Sequence, residues 1–452
     1  MPSTGHRSSW SNRWTFMLAT AGSAIGLGNI WKLPYMIGVN GGSAFVLVFL
    51  ACIVVAGIPL MMCEIMLGRR AQRNPIDGMQ ALAHEAHAPA AWKWVGVSGL
   101  FAGLLILSFY SIIAGWVLDY IVRAASGQFH GIDGATAKKY FNDFLAAPLE
   151  LLFWHTLFIF MTLGVVARGV NAGLEKANKI LMPTLLAILM VLIGYSMAVG
   201  DFARSAHFMF APDFSKVTPV AVLSALGHAF FSLSLGMGAV MVYGSYLQRH
   251  VSIARTSIYV ALVDTGVGLL VGLAIFSLVF ANGLEPAAGP GLIFQTLPIA
   301  FGRMPGGDMI GTLFFVLVAF AAWTSAISLV EPAIAWLTEN TSLTRKQSAW
   351  LIGITDWLLG IAVLLSFNKW QDVHLLFGLG IFDTLDKLTS TIMLPLGGLA
   401  MAIFAGWVMR ANHVQEELGL ANATYQLWRL TIRYIAPLAI VAIFAYLTGL
   451  IK

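Results

Sequence analysis

The residues best placed to do chemistry in this 452-residue chain are polar groups stranded in apolar sequence. Glu64 and Asp264 lie inside hydrophobic stretches, where charge is expensive and generally functional. Two segments are interrupted by glycine, Ala24-Ile25-Gly26-Leu27-Gly28-Asn29 and Ser234-Leu235-Gly236-Met237-Gly238-Ala239. A glycine in a membrane helix usually marks close helix packing. A matched pair of interruptions at the head of two halves points instead to a binding site at mid-membrane. Unwinding frees N–H and C=O groups that hydrocarbon cannot satisfy, whereas bound substrate and ions can. Half-helix N-termini suit a carboxylate, and freed carbonyls suit an ammonium group or Na⁺. Asn29 follows the first break, Ser232 and Ser234 border the second, and Thr324-Ser325 sit in the middle of a third apolar span. Hydroxyls of that last kind often bond back to their own helix.

Other chemistries are not expected. There is no Walker A pattern for ATP hydrolysis. His84-Glu85-Ala86-His87 spaces its histidines wrongly for a metalloprotease. Gly26-Leu27-Gly28 lies inside a hydrophobic span with no strand before it, unlike a dinucleotide loop.

The elements that must position these groups are membrane helices. Hydrophobic residues make up 58% of the chain and charged residues only 10%, against about a quarter charged in soluble proteins. A chain this apolar needs a bilayer, in spans of about 20 residues. Such spans fall near 13–37, 42–68, 94–122, 151–167, 172–199, 220–246, 256–281, 308–337, 347–366, 380–409 and 427–450. They predict an all-α polytopic protein of eleven helices. Helices 1 and 6 carry the breaks and open blocks of five, about 13–199 and 220–409, with an extra helix at 427–450. Five is odd, so the second block enters from the opposite face, which makes a 5+5 inverted-topology repeat within one transporter domain spanning 1–452.

Lys and Arg concentrate in loops on one side, including Arg69, Arg70, Arg73, Arg168, Arg345 and Arg410. The positive-inside rule puts that side and the N-terminus in the cytoplasm, and eleven helices then put the C-terminus outside. The net charge of +5 follows from these short loops and does not indicate nucleic acid. No cleavable signal peptide is evident. Cys52 and Cys63 share one helix about 16 Å apart and cannot pair. The sequons at Asn340 and Asn422 fall in loops read as internal and are disregarded.

The run Gly22-Ser23-Ala24-Ile25-Gly26-Leu27-Gly28-Asn29-Ile30-Trp31-Lys32-Leu33-Pro34-Tyr35, followed by Asn40-Gly41-Gly42-Ser43-Ala44-Phe45, resembles the first helix and following loop of the neurotransmitter:sodium symporters. Phe230-Phe231-Ser232-Leu233-Ser234-Leu235-Gly236-Met237-Gly238 resembles their sixth helix, Glu64 with Leu67-Gly68-Arg69 their second, and Trp323-Thr324-Ser325 their eighth. The match runs with consistent spacing from about Arg7 to the end of the sequence. It implies the LeuT-type fold, for which LeuT is itself the standing example of broken helices, and a bacterial amino-acid transporter of the inner (plasma) membrane.

The resemblance also implies ligands. One sodium would meet the carbonyls of Gly22, Ile25 and Ala321 and the hydroxyls of Thr324 and Ser325. Another would meet the Ala24 carbonyl, Asn29, Ser232, Asp264 and the substrate carboxylate. That carboxylate would also meet N–H groups near Leu27 and Gly28 and the Tyr110 hydroxyl. The ammonium group would face carbonyls of Ala24, Phe231 and Ser232. The side-chain pocket would hold Ser23, Ile106, Tyr110, Phe231, Ser234, Met237, Ser325 and Leu329. Lys32 and Asp386 would gate the outer side, with Phe231 as a lid, and Arg7, Trp10 and Glu339 the inner side. Three departures stand out: Lys32 where many members have arginine, which loses the forked guanidinium contact; Glu339 where aspartate is more usual; and eleven helices where many have twelve. The oligomer therefore stays open.

No acidic or basic residue projects among the pocket positions, so a neutral and hydrophobic substrate is expected. Chloride-dependent members have a neutral residue at position 264, a serine four positions on, a tyrosine from helix 2 and a glutamine from helix 6. Here these read Asp264, Gly268, Phe49 and His228. A fixed carboxylate would replace free chloride in offsetting two Na⁺ ions. Emptied of cations, it would return carrying a proton, so proton antiport is expected as well. A channel, or a membrane enzyme using Asp264 and Glu64 as an acid–base pair, is the alternative. A channel would show charged rings or a filter built by several subunits, not two different broken halves.

Overall fold

The computed structural model describes residues 9–286 and 291–447. Among these residues, eight helices are long and apolar enough to cross a bilayer. We label them α2 (Ser43–Ala71), α3 (Ala90–Ala125), α4 (Pro148–Val166), α5 (Val170–Val199), α7 (Ile253–Ala281), α8 (Gly307–Asn340), α9 (Arg345–Leu365) and α10 (Ile381–Val408). Each matches an expected span. The remaining three are built in pieces. In α1, Arg13–Ala24 is followed by a non-helical Ile25-Gly26, and the chain resumes as Gly28–Lys32 and Leu33–Val39. In α6, Pro219–Ser232 and Ala239–Ser245 flank a second break. The last span, α11, runs as Asn422–Leu430, Thr431–Ile435 and Ala436–Leu447.

Both breaks fall where the Gly-X-Gly pairs predict. In the second, Ser234, Gly236 and Gly238 adopt φ of 55°, 83° and 78°. Glycine holds such angles at no steric cost. Gly236 is fixed twice over, because a side chain on it would run into the backbone of Leu394 and Gly398 in α10.

Among the described residues, five short α-helices missing from the sequence reading lie between spans: Pro75–Glu85, Gly134–Leu145, Phe202–Phe210, Leu297–Arg303 and Ala411–Leu418. Three of them start at a side-chain cap. Asn74 Oδ1 accepts from Ile76 and Asp77 N–H, Asp133 from Thr136, and Asp201 from Arg204, which satisfies donors left open at a helix start. Around the breaks, α8 packs along α3 and the second half of α6 along α2. Both broken helices are thus held between continuous ones. Cys52 and Cys63 are free thiols.

Candidate transport site

The first break is held by side chains from α3, α7 and α8. The Leu27 N–H released by unwinding donates to the Tyr110 hydroxyl at 3.0 Å. Ser325 Oγ from α8 reaches across to carbonyls of α1: Ser23 at 3.0 Å, and Gly22 and Ile25 at 3.3 Å each. Gly26 permits this approach, since a methyl there would lie 2.5 Å from Ser325 Oγ and 2.8 Å from the Tyr110 hydroxyl. Thr324 instead bonds back to its own helix, at 3.0 Å from the Ala321 carbonyl and 3.1 Å from that of Phe320. Its side chain still packs on α1, where Gly22 is so close that a Cβ would lie 3.2 Å from Thr324 Cβ. Gly22, Ile25, Ala321, Thr324 and Ser325 therefore form one oxygen-rich junction between α1 and α8.

A second cluster joins α1, α6 and α7. Asn29 Nδ2 donates to Asp264 Oδ1 at 2.5 Å and to the Asp264 carbonyl at 3.0 Å. Ser232 Oγ lies 2.6 Å from Asp264 Oδ2 and 2.7 Å from Asn29 Oδ1. Asn29, Ser232 and Asp264 are each almost wholly buried. Hydroxyl, amide and carboxylate oxygens, with no nitrogen or sulfur ligand, form a donor set suited to a hard monovalent cation.

Between the clusters lies a small cavity of about 20 Å³, lined by Ser23, Ala24, Gly26, Gly28, Ile106, Tyr110, Phe231, Ser232, Ser234, Met237, Ser325 and Leu329. No lining side chain is charged. The sequence reading includes all of these except Gly26, and adds Leu27, which lines the larger space above. Gly26 lies within the quoted Gly-X-Gly, but glycine has no side chain to suggest a lining role. Phe231 closes the cavity by laying its ring over Gly28, where a Cβ would be 3.0 Å from the ring. Above it opens a vestibule of about 610 Å³ reaching Lys32, Asp383 and Asp386. Lys32 Nζ stands 3.5 Å from Asp386 Oδ1 and 4.9 Å over the Phe231 ring, so the lid and the ion pair meet at one cation.

The second break is fastened from α2. Gly236 N–H donates to Glu64 Oε1 at 2.5 Å. Glu64 thus occupies a donor that unwinding exposed, which is a structural use of a group the sequence marked only as ionisable.

On the opposite side, Trp10 is buried, with Nε1 donating to the Tyr243 carbonyl at 3.1 Å and its ring edge-on to Tyr243. Glu339 accepts from Asn74, at 2.9 Å from N–H and 2.7 Å from Nδ2. Arg7 lies outside the described residues. An ion pair absent from the sequence reading adds to this face. Buried Glu331 binds Arg345 through both nitrogens at 3.0 and 2.5 Å, and Tyr246 at the end of α6 donates to it at 2.8 Å. No local signal marks it, because the partners lie 14 and 85 residues away.

Of the four positions compared for chloride, none now offers a hydroxyl or an amide. Phe49 lies tilted against His228 with ring centroids 5.4 Å apart. A side chain at Gly268 would meet Leu33 Cδ2 at 2.7 Å.

The sequence profile of the sodium:neurotransmitter symporter family matches residues 7–130 and 147–450. The chain belongs to this family. It is 38% identical over 448 residues to an uncharacterised sodium-dependent transporter, YhdH, of Bacillus subtilis, with 98% of both chains covered. A second uncharacterised sodium-dependent transporter, from Haemophilus influenzae, is 33% identical with 97% of both covered. Among solved structures, MhsT in complex with L-phenylalanine superposes with a TM-score of 0.90 at 41% identity, covering 97% of this chain and 99% of that one. The chain is a multi-pass membrane transporter with the LeuT-type fold and its inverted repeats, and sodium is its coupling ion.

Proposed function

We propose that this protein carries a neutral, hydrophobic L-amino acid into a bacterial cell with sodium, without chloride, and returns with a proton on Asp264. The observation that carries the reading is the small cavity between the two breaks. Its walls combine backbone groups and hydroxyls with Ile106, Met237, Leu329 and Phe231. A charged substrate side chain would be buried there without a partner. Met237 can re-pack around side chains of different size.

Two sodium ions fit the two oxygen clusters. One takes Gly22, Ile25, Ala321, Thr324 and Ser325. The other takes Ala24, Asn29, Ser232 and Asp264, shared with the substrate carboxylate. That carboxylate also faces Tyr110 and the N-terminal end of the second half of α1, and the ammonium group faces the Ala24, Phe231 and Ser232 carbonyls. Asp264 supplies fixed negative charge beside the ions. When the ions leave, it carries a proton back.

Alternating access opens Lys32–Asp386 and Phe231 on one side. On the other it opens the contacts around Trp10 and Glu339, where Arg7 is the expected third member of the gate, with the N-terminus cytoplasmic and the C-terminus outside. A thermal-stability screen of the twenty amino acids with and without Na⁺ tests the reading, because a ligand that binds only the folded state raises stability. Leucine, phenylalanine and tryptophan should stabilise in Na⁺ and not in K⁺. Stabilisation by glutamate, lysine or glycine ahead of these would overturn the substrate class.

A further inference from the structure

One buried carboxyl group takes no part in the transport site. Asp356, midway along α9, is fully buried, and among the described residues neither of its carboxylate oxygens has a hydrogen-bond partner. It lies on the inward stripe of α9, between Gly353 and Gly360. A Cβ on Gly353 would strike the Leu163 side chain of α4. One on Gly360 would meet His155 Nε2 at 2.6 Å and the Ser108 carbonyl of α3 at 3.2 Å. These two glycines seat α9 tightly against α4, one step on either side of Asp356.

His155 is also fully buried. Its Nε2 is 3.2 Å from the Trp357 carbonyl, so that nitrogen carries the hydrogen and Nδ1 carries the lone pair. Nδ1 has no partner among the described residues. Trp357 Nε1 donates to Thr156 at 2.9 Å, completing the polar part of the seam.

The seam therefore holds an acid with no hydrogen-bond partner among the described residues and, against Gly360 one turn further along α9, a base whose Nδ1 has none either. An ionised carboxylate there would be a buried charge without compensation, which protein interiors avoid. The other titratable groups of the surrounding helices are engaged elsewhere. On α4, Glu150 pairs with Arg123. On α3, Asp119 pairs with Arg123, and Tyr110 faces α1. On α8 and α9, Glu331 pairs with Arg345, and Glu339 faces Asn74.

We propose that Asp356 is a second proton-binding site of this transporter, holding its proton in the α4–α9 seam and exchanging it through His155. Loss of that proton places a charge in the seam and loosens α9 from α4. Stability and uptake then depend on pH independently of Asp264, and the test does not rest on the transport reading.

Infrared spectroscopy of the purified full-length protein in lipid nanodiscs reads a protonated carboxyl directly, through its C=O stretch and the deuterium shift of that band. The wild type should show such a band near neutral pH. Asp356→Asn should lose it, and Asp264→Asn should keep it. His155→Gln should slow its deuterium exchange several-fold.

The sign of the stability effect follows from linkage. The folded state holds a proton that the unfolded state releases, so the melting temperature should fall as pH rises above neutrality, less steeply in Asp356→Asn. Should that variant not fold, the wild-type band and its exchange in His155→Gln still decide the matter. No wild-type band removed by Asp356→Asn, an identical pH slope in both proteins, or exchange unaffected by His155→Gln would overturn the proposal.

Discussion

Asp264→Asn separates charge from shape at the sodium cluster. Asp264 Oδ1 takes a hydrogen bond from Asn29 Nδ2, and Oδ2 one from Ser232 Oγ. An asparagine can keep its oxygen toward Asn29 and turn its NH₂ toward Ser232. The Ser232 hydroxyl then accepts from it while donating to Asn29 Oδ1, 2.7 Å away. The reverse orientation sets NH₂ against NH₂, so one flip is selected and the fold survives. What is lost is the charge. A unit charge about 4 Å from Na⁺ at an effective dielectric near 20 contributes about 4 kcal/mol. The remaining amide dipole recovers part of this, leaving a loss of about 2–3 kcal/mol, or a sodium affinity weaker by about 30- to 150-fold. The assay is a sodium titration of substrate binding, run in chloride and in gluconate. The wild type should be indifferent to the anion. The variant should be weakened in both and partly restored by chloride, with a melting temperature close to wild type. Sodium affinity within about threefold of wild type would refute the electrostatic argument.

Three further variants probe the surrounding geometry. Thr324→Ala with Ser325→Ala removes two hydroxyls at the α1–α8 junction. Sodium affinity should fall at least tenfold with little loss of stability, and an unchanged sodium titration would assign both hydroxyls to packing alone. Gly26→Ala pushes a methyl against Ser325 and Tyr110, and substrate affinity should drop by about 1–3 kcal/mol, read by competition binding. Glu331→Gln removes a fully buried carboxylate and leaves partly exposed Arg345 without its partner, and should lower folding stability by about 3 kcal/mol, read by thermal unfolding. A change under about 1 kcal/mol would show that solvent reaches Arg345.

The sequence exposes the parts of this site that break a rule. Asp264 in apolar sequence and the two Gly-X-Gly pairs are each costly in a membrane helix, and a cost without local explanation is visible in one dimension. The span lengths are visible for the same reason, because bilayer thickness sets them. Groups made useful by tertiary approach are not visible. Gly26 lines the cavity only because Ser325 and Tyr110 come within contact distance of its Cα. Glu331 sits in the same apolar helix as Thr324 but finds Arg345 only across the α8–α9 turn. The short helices Pro75–Glu85 and Ala411–Leu418 escape a search for spans of about 20 apolar residues. The Asn74 cap of the first and the Gly419 stop of the second are the signals that would find them. Asp356 carries the same signal as Asp264, a carboxylate in apolar sequence. Only the structure separates the two, by giving one carboxylate two polar neighbours, Asn29 and Ser232, and the other none among the described residues.

The central claim is sodium-driven uptake of a neutral hydrophobic amino acid. Radiolabelled L-phenylalanine or L-leucine uptake into proteoliposomes holding the purified chain tests it most directly, with sodium inside, outside or on both sides, and gluconate as the only anion. The account predicts accumulation above the external concentration only when the sodium gradient points inward, and collapse when sodium is equal on both sides with no membrane potential. Uptake that merely equilibrates whatever the gradient, or accumulation driven equally well by potassium, would contradict it.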